Sequence, residues 1–465
     1  MYIEQLYTNC LAEAAYYIES NGEAAIIDPL RETQPYIDLA TRRGSRIKYV
    51  METHFHADFV SGHIDLARET GAVIVYGPMA DPQYDVIIAE DNQEFALGKV
   101  KIRVLHTPGH TPESSCYLLF DEGGNEHAVF TGDTLFVGDV GRPDLLDGKM
   151  SSEELAEMLY DSLETKLKVL PDHVTLYPGH GPGSACGKNI GKETMSTIGE
   201  QKRFNYALKA KSKEDFILQV TDGIQPPPQY FFEDARINKY GYNSIDDVLE
   251  RNSKPLSQSA FIQAVENGAL ILDARKSDDF EKGFVPGSLN IGLNGQYAVW
   301  VGTLIDINRP LVLVTDSGKE QEAVLRLARV GYENVLGFLE GGIESWSGPR
   351  DIVRSVTASD IPAILDQQAA VLDVRRPGEW KISHLAGAQL VPLSDMPGNV
   401  AHLDRNKTYV VHCGGGYRSM TAISLMKQQG FRNLINVYGG FAAMTNAGLE
   451  VVTDSENVTS ASWHG

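Results

Sequence analysis

Between residue 1 and about residue 220, short apolar runs at 24–27, 73–76, 100–105, 116–120, 128–130 and 174–177 alternate with turn residues. Longer amphipathic stretches, such as 151–170, fall between some of them. Strand-length runs interrupted by helical stretches predict a layered α/β domain, because each element must bury its apolar face against another. Polar, metal-capable residues follow directly after several of these runs, where loops leave a sheet edge. The segment Gln225-Pro226-Pro227-Pro228-Gln229 is stiff and cannot continue a helix, so it is read as part of the exit from the first domain.

Beyond that exit the chain repeats itself. Leu272-Asp273-Ala274-Arg275 recurs one hundred positions later as Leu372-Asp373-Val374-Arg375, and Val285-Pro286-Gly287-Ser288 recurs at the same offset as Leu385-Ala386-Gly387-Ala388. Gly341-Gly342 recurs as Gly439-Gly440. Three matches in order indicate a duplicated α/β unit of small-domain size. The expected domains are 1–245, 250–350 and 355–460.

Composition narrows the class. The chain has 465 residues, 42% hydrophobic and 22% charged, as in ordinary globular domains. A net charge of −21 argues against a nucleic-acid partner, because no positive field is available for phosphates. No run reaches membrane-span length and the start lacks a signal-peptide layout, so no membrane association and a cytoplasmic location are expected. The four cysteines, Cys10, Cys116, Cys186 and Cys413, share no short spacing, which points to individual thiols rather than a disulfide framework. Cys10 and Cys116 sit beside apolar runs and read as structural.

Eight of the twelve histidines lie in the first 180 residues. The densest segment is Thr53-His54-Phe55-His56-Ala57-Asp58-Phe59, followed later by Thr107-Pro108-Gly109-His110, Thr131-Gly132-Asp133 and Tyr177-Pro178-Gly179-His180-Gly181. Two histidines one residue apart at a strand end can converge on a metal, with a nearby carboxylate to ligate or orient them. The order resembles that of the metallo-β-lactamase superfamily, whose hallmark is HxHxDH, then a histidine, a bridging aspartate and a final histidine. Phe59 stands where the hallmark has its third histidine, which in binuclear members helps bind the second metal, so a mononuclear site is expected. That pattern resembles the persulfide dioxygenases. The resemblance implies one Fe(II) per chain held by His54, His110 and Asp133, with His56, Asp58 and His180 orienting ligands or water. Two histidines and one carboxylate are also the ligand set of non-haem Fe(II) oxygenases.

Two nearby residues carry open readings. Arg142 either binds a carboxylate of the thiol carrier through its planar fork or caps a surface loop. Cys186 either relays sulfur, with Lys188 favouring its thiolate, or is an inert loop cysteine.

In the second repeat, the strand-like Thr408-Tyr409-Val410-Val411-His412 runs into Cys413-Gly414-Gly415-Gly416-Tyr417-Arg418-Ser419 and then a helical stretch. A cysteine at a strand-to-helix junction faces backbone N–H groups and the positive helix end, which favours an anionic sulfur. The loop resembles the rhodanese active site, which implies Cys413 as the sulfur carrier, Arg418 as a catalytic partner, and Gly414, Gly415, Gly416 and Tyr417 as the sulfane-sulfur loop. In the first repeat, alignment of the apolar runs places Asp316 opposite Cys413 and Gln321 opposite Arg418, which implies an inactive pseudo-rhodanese.

The expected fold class is therefore α/β multidomain, an αββα metallo-β-lactamase sandwich followed by two rhodanese α/β domains. The resemblances imply Fe(II)-dependent oxidation of a low-molecular-weight thiol persulfide by O2 to sulfite, coupled through Cys413 to thiosulfate formation and serving sulfide detoxification. A homo-oligomer is expected. The alternatives are a glyoxalase II-like thioester hydrolase with an appended sulfurtransferase, and a non-catalytic sulfur carrier.

Overall fold

The computed structural model describes residues 1–145 and 150–453. The chain divides into two compact units, one formed by 1–248 with 325–333 and the other by 249–324 with the chain from 334 onward.

The first unit holds two six-stranded sheets. One runs in chain order through β1 (Tyr2–Thr8), β2 (Glu13–Ser20), β3 (Glu23–Ile27), β4 (Arg46–Met51), β5 (Val73–Tyr76) and β6 (Ile87–Ile88). The other contains β7 (Glu94–Leu97), β8 (Val100–His106), β9 (Ser115–Phe120), β10 (Glu126–Gly132), β11 (Thr175–Pro178) and β12 (Ser196–Thr197). Period-two alternation sends each strand's side chains into two different cores. From β2, Ala14, Tyr16 and Ile18 enter the core between the sheets, while Ala15 and Tyr17 face a core shared with Tyr36, Leu39 and Ala40 of the helix Gln34–Arg43. From β9, Tyr117 and Leu119 face inward, while Cys116, Leu118 and Phe120 face the helices Ser152–Ser162 and Lys213–Thr221. Each fully buried side chain of this size contributes about 1.5–3 kcal/mol of burial, so the two-faced patterning specifies an αββα sandwich.

All six apolar runs named above fall on strands of this sandwich. The amphipathic stretch 151–170 begins as the helix Ser152–Ser162, opened by a capping box in which the Glu154 N–H donates to Ser151 Oγ (3.1 Å) and Ser151 N–H donates to Glu154 (2.8 Å). The proline segment differs from its expected role. After it, the helix Tyr230–Tyr240 returns to the first unit and buries Tyr230, Phe231, Asp234 and Asn238. The helix Lys213–Thr221 ends before the prolines are reached, and the helix after them still has an apolar face to cover.

The second unit contains two five-stranded parallel sheets with the same strand order. The first repeat runs β13 (Pro255–Leu256), β17 (Val335–Leu339), β16 (Leu311–Val314), β14 (Leu270–Asp273), β15 (Leu289–Asn290). The second runs β18 (Arg354–Val356), β23 (Leu434–Val437), β22 (Tyr409–His412), β19 (Ala370–Asp373), β21 (Gln389–Leu390), while β20 (His384–Leu385) and β24 (Val451–Val452) form a separate pair. Each repeat buries the same clamp. Arg275 grips Asp273 through Nη2 (2.6 Å) and caps Gly283 O, and Arg375 grips Asp373 (2.6 Å) and caps Ser383 O. The repeated Asp-x-Arg motif is thus scaffold.

Strand register corrects the alignment of the two catalytic positions. Asp273 pairs with Val314, and Asp373 pairs with His412. Because the two aspartates are equivalent, Val314 corresponds to His412, and Thr315, not Asp316, occupies the place of Cys413. The glycine pairs agree, since a Cβ at Gly440 would collide with the Cys413 carbonyl and one at Gly342 would press on the Thr315 carbonyl at 3.0 Å. Asp316 then matches Gly414 and Glu320 matches Arg418. A hydroxyl in place of the thiol carries no sulfane sulfur.

Candidate functional site

The histidines and aspartates of the first unit leave neighbouring strand ends of the sandwich. Asp28 follows β3, the His54–His56–Asp58 segment follows β4, His110 lies between β8 and β9, Asp133 follows β10 and His180 follows β11. All of them are at most 5% exposed.

Hydrogen bonding decides which atoms remain for a metal. Thr53 Oγ1 donates to Asp28 Oδ2 (2.8 Å), so its oxygen is left to accept from His54 Nδ1–H (2.9 Å). That contact fixes the tautomer and turns the Nε2 lone pair of His54 outward. His110 Nδ1–H donates to the Arg142 carbonyl (2.8 Å), leaving its Nε2 lone pair free in the same way. Asp133 accepts at Oδ1 from His180 Nδ1 (2.8 Å), which leaves Oδ2. His54 Nε2, His110 Nε2 and Asp133 Oδ2 are buried without any hydrogen-bond partner, and Oδ2 lies 3.9 Å and 3.5 Å from the two nitrogens. Three orphaned donors on one point would be costly as a purely structural arrangement. As metal ligands they fit, for the nitrogens are neutral-imidazole lone pairs and the carboxylate is anionic. Burial and the neighbouring His56 keep the His54 imidazole well below its ordinary pKa, in the form a metal needs.

The surrounding groups brace this set. His180 bridges two carboxylates, with Nε2 2.8 Å from Asp58 Oδ2. Burial opposes charge on His180, yet Asp133 and Asp58 outweigh it and push its pKa well above the ordinary value. His56 turns its Nε2 toward Asp28, at 3.1 Å, while its Nδ1 is buried without a hydrogen-bond partner and its ring lies 4.2 Å from that of His54. Phe59 is fully buried with its ring 4.3 Å from that of His56. An apolar ring therefore fills the position of the hallmark's third histidine.

Sequence reasoning missed Asn238. Its Nδ2 donates to the carbonyls of His56 and Phe59 (2.8 Å each), and its Oδ1 accepts from Ser61 N–H (2.9 Å). One amide on the helix after the proline segment thus holds the backbone of the metal loop. No spacing motif marks such a residue, because its role depends on a chain return.

Arg142 and Cys186 take different places from those expected. The Arg142 guanidinium is buried and spent on Asp144 (2.6 and 2.7 Å), Ala185 O (3.2 Å) and Gln225 O (2.6 Å), so it has no fork left for a ligand carboxylate. Its carbonyl positions His110 instead. Cys186 is 1% exposed and its thiol groups with Asp58 and His180. Burial, with the Asp58 and Asp133 carboxylates, drives that thiol's pKa well above normal, and Lys188 is engaged with the carbonyls of Gln219 and Asp222. The expected thiolate-favouring lysine is absent from its surroundings. Cys116 lies in the core, where burial pushes its thiol up to about 11.

In the second unit Cys413 follows β22. Its Sγ accepts from Gly416 N–H at 3.1 Å, and Ser419 Oγ stands 3.8 Å away. Gly416 has φ +108°, a conformation side chains resist, which lets the loop curl over the sulfur before the helix Tyr417–Gln428 starts. Arg418 is held by Glu379 through two bonds of 2.6 and 2.8 Å. Burial alone would raise the Glu379 carboxyl, but Arg418 and the Arg376 N–H outweigh it and hold it below the usual range. Among the described residues, no helix is long and apolar enough to cross a membrane.

Comparison with known proteins finds family matches in both units. The metallo-beta-lactamase superfamily model matches residues 8–180, and the rhodanese-like domain model matches 257–349 and 357–447. The chain is 32% identical over 211 residues to the persulfide dioxygenase ETHE1 of Homo sapiens, covering 44% of this chain and 74% of that protein. It is 29% identical over 232 residues to a probable hydroxyacylglutathione hydrolase of Schizosaccharomyces pombe, covering 45% and 85%. A crystal structure of a metallo-beta-lactamase from Staphylococcus aureus superposes with a TM-score of 0.65 at 32% identity, covering 73% of this chain and 99% of that one. The chain belongs to the metallo-beta-lactamase superfamily, with persulfide dioxygenase homologues, and carries two rhodanese-like domains in its C-terminal region.

Proposed function

We propose that the protein oxidises the outer sulfur of a low-molecular-weight thiol persulfide to sulfite at a single Fe(II), and that Cys413 transfers sulfane sulfur to sulfite to give thiosulfate, as a sulfide-detoxifying enzyme. The observation that carries this reading is the convergence of His54 Nε2, His110 Nε2 and Asp133 Oδ2, three buried donors without partners. These three residues would hold the iron. When bound, ferrous iron supplies the redox chemistry toward O2 that no side chain offers.

The protein's own groups do the rest. Thr53 and the Arg142 carbonyl keep both imidazoles in the ligating tautomer. His180 holds Asp133 in place through Nδ1 and stands between two carboxylates. Phe59 excludes water. The overall oxidation balances as RSSH + O2 + H2O giving RSH, sulfite and two protons. At the second site, the Cys413 thiolate attacks the outer sulfur of a persulfide. A new S–S bond forms, the old one breaks, and the thiol leaves. Sulfite then takes the outer sulfur from Cys413 and regenerates the thiolate. Gly416 N–H steadies the anionic sulfur throughout.

Anaerobic, iron-loaded protein given a thiol persulfide and then O2 is expected to consume oxygen and release sulfite. Iron-loaded protein that takes up no oxygen would overturn the dioxygenase reading. Cys413→Ser is expected to keep oxygen uptake and lose thiosulfate. A thioester hydrolase with two metals is the competing reading, favoured by the second buried donor group Asp58, His180 and Cys186 and by the hydroxyacylglutathione hydrolase relatives. Metal analysis separates them, since two metals per chain with thioester turnover would displace the dioxygenase.

A further inference from the structure

Cys413 lines a cavity of about 530 Å³ whose opposite wall comes from the first repeat, through Asn294, Gly295, Gln296 and Trp300. Cavities of ~300–1,000 Å³ suit organic ligands with many atoms, far larger than sulfite or a bare sulfur atom. The two repeats lock this wall in place. Tyr417, the first residue of the catalytic helix, donates from its hydroxyl to Gly292 O (2.7 Å), and its ring fills the space where a side chain at Gly295 would stand. Neighbouring contacts repeat the theme, with Asn290 N–H donating to Ser424 Oγ (3.0 Å) and Gln428 donating to Gly287 O (2.8 Å).

The charges in the cavity are unequal. It contains Arg376, Arg418 and Glu379. Glu379 gives both carboxylate oxygens to Arg418 and accepts from the Arg376 backbone N–H, and its charge favours the Arg376 cation from beyond ion-pair distance. Among the described residues, no carboxylate lies within ion-pair distance of the Arg376 guanidinium. Two guanidinium groups against one carboxylate leave a net positive charge in the cavity, which amide side chains and an indole also line.

The geometry points to a binding site for the organic part of the sulfur donor: Cys413 is loaded by a carboxylate-bearing low-molecular-weight persulfide, with Arg376 anchoring the carboxylate and the first repeat's Asn294–Trp300 wall enclosing the carbon skeleton. This rests on the sulfurtransferase reading of Cys413. It gives the first repeat a task in substrate selection, although Thr315 removes its own chemistry. Loading itself is a transfer of neutral sulfur. The Cys413 thiolate bonds the outer sulfur, the donor's S–S bond breaks, and the donor leaves as its thiol with the proton the persulfide carried.

The test uses the full chain, anaerobically, with persulfides of glutathione and of 2-mercaptoethanol as charged and uncharged donors. Loading of Cys413 is read by mass as one added sulfur, and initial rates give KM and kcat. The unmodified protein is expected to prefer the glutathione persulfide. Arg376→Gln is expected to raise KM for that donor about fivefold to tenfold and collapse the preference, and Arg376→Lys to restore part of it. Asn294→Asp, which sets a negative charge on the facing wall, is expected to weaken the same donor. An unchanged donor preference in Arg376→Gln, or a loss falling on kcat alone, would overturn the carboxylate anchor while leaving sulfur transfer intact. Failure of the unmodified protein to load Cys413 from either donor would instead overturn the sulfurtransferase reading, and the proposal with it.

Discussion

His180 Nδ1 lies 2.8 Å from Asp133 Oδ1, and this contact spends one carboxylate oxygen so that the other points at the two imidazoles. Substituting His180 with alanine would leave Asp133 buried and free to rotate or to pick up a proton. Groups that orient metal ligands are typically worth about 10–100-fold in metal affinity. His180→Ala is expected to lose affinity by that factor in competition with a ferrous chelator, with the fold preserved by circular dichroism. Unchanged affinity would show that Asp133 is held by other means.

Asn238 makes three hydrogen bonds to the metal loop, and each buried group it abandons costs about 1–3 kcal/mol. Asn238→Ala is therefore expected to destabilise the first unit by roughly 3 kcal/mol or more. Urea unfolding followed by tryptophan-independent far-ultraviolet signal measures this. Iron retention is expected to fall in parallel, because the carbonyls released belong to His56 and Phe59. Retention that is unaffected would separate the loop's stability from its metal affinity.

Thr315 stands where the second repeat has Cys413, so Thr315→Cys restores a thiol at the matching position. The new cysteine would sit beside Asp316 and Glu320 rather than Gly414 and Arg418. Negative neighbours disfavour both a thiolate and an anionic persulfide. Mass analysis after persulfide treatment is expected to show sulfur on Cys413 and none on residue 315. Loading at both positions would mean that the loop's charge matters less than its backbone.

The Glu379–Arg418 pair gives a pH dependence. A carboxyl whose folded pKa is depressed contributes fully above its unfolded value, ~4.3, and loses that contribution as pH falls through the folded value. Glu379 is depressed, so the clamp on Arg418 is intact across the neutral and mildly acidic range. Glu379→Gln removes it at every pH. The rate difference between the two proteins in Cys413 loading is expected to hold across the neutral and mildly acidic range and to shrink as pH falls through the depressed folded value, below ~4.3. A ratio that holds constant down the acid limb would contradict the assignment.

Much of this was readable in the chain. The apolar runs located strands, and the order of histidines and aspartates named the three residues whose free donor atoms converge, because both signals are local. What was hidden depends on pairing across the fold. The match of Asp316 to Cys413 came from counting along two runs, whereas the β14–β16 and β19–β22 registers show that the runs begin one residue out of step. Arg142 carried the right residue type for binding a carboxylate, but Asp144 two residues away takes it first. Lys188 likewise follows Cys186 closely in sequence yet reaches carbonyls near the end of another helix. The return of Asn238 could not be seen at all, since nothing in a proline segment says where the chain goes next.

Asp28 joins several of these threads. It accepts from Thr53 N–H and Thr53 Oγ1 and faces His56, and its own backbone sits at φ +48°, in the left-handed region. Such a conformation stores about 1 kcal/mol or more in a residue other than glycine. Asp28→Gly would release that strain and delete the carboxylate together, so overall stability and site geometry would move in opposite directions. Backbone strain and the tie to Thr53 thus sit in one residue, so a glycine there relaxes the turn only by cutting loose the strand end that leads to His54 and His56.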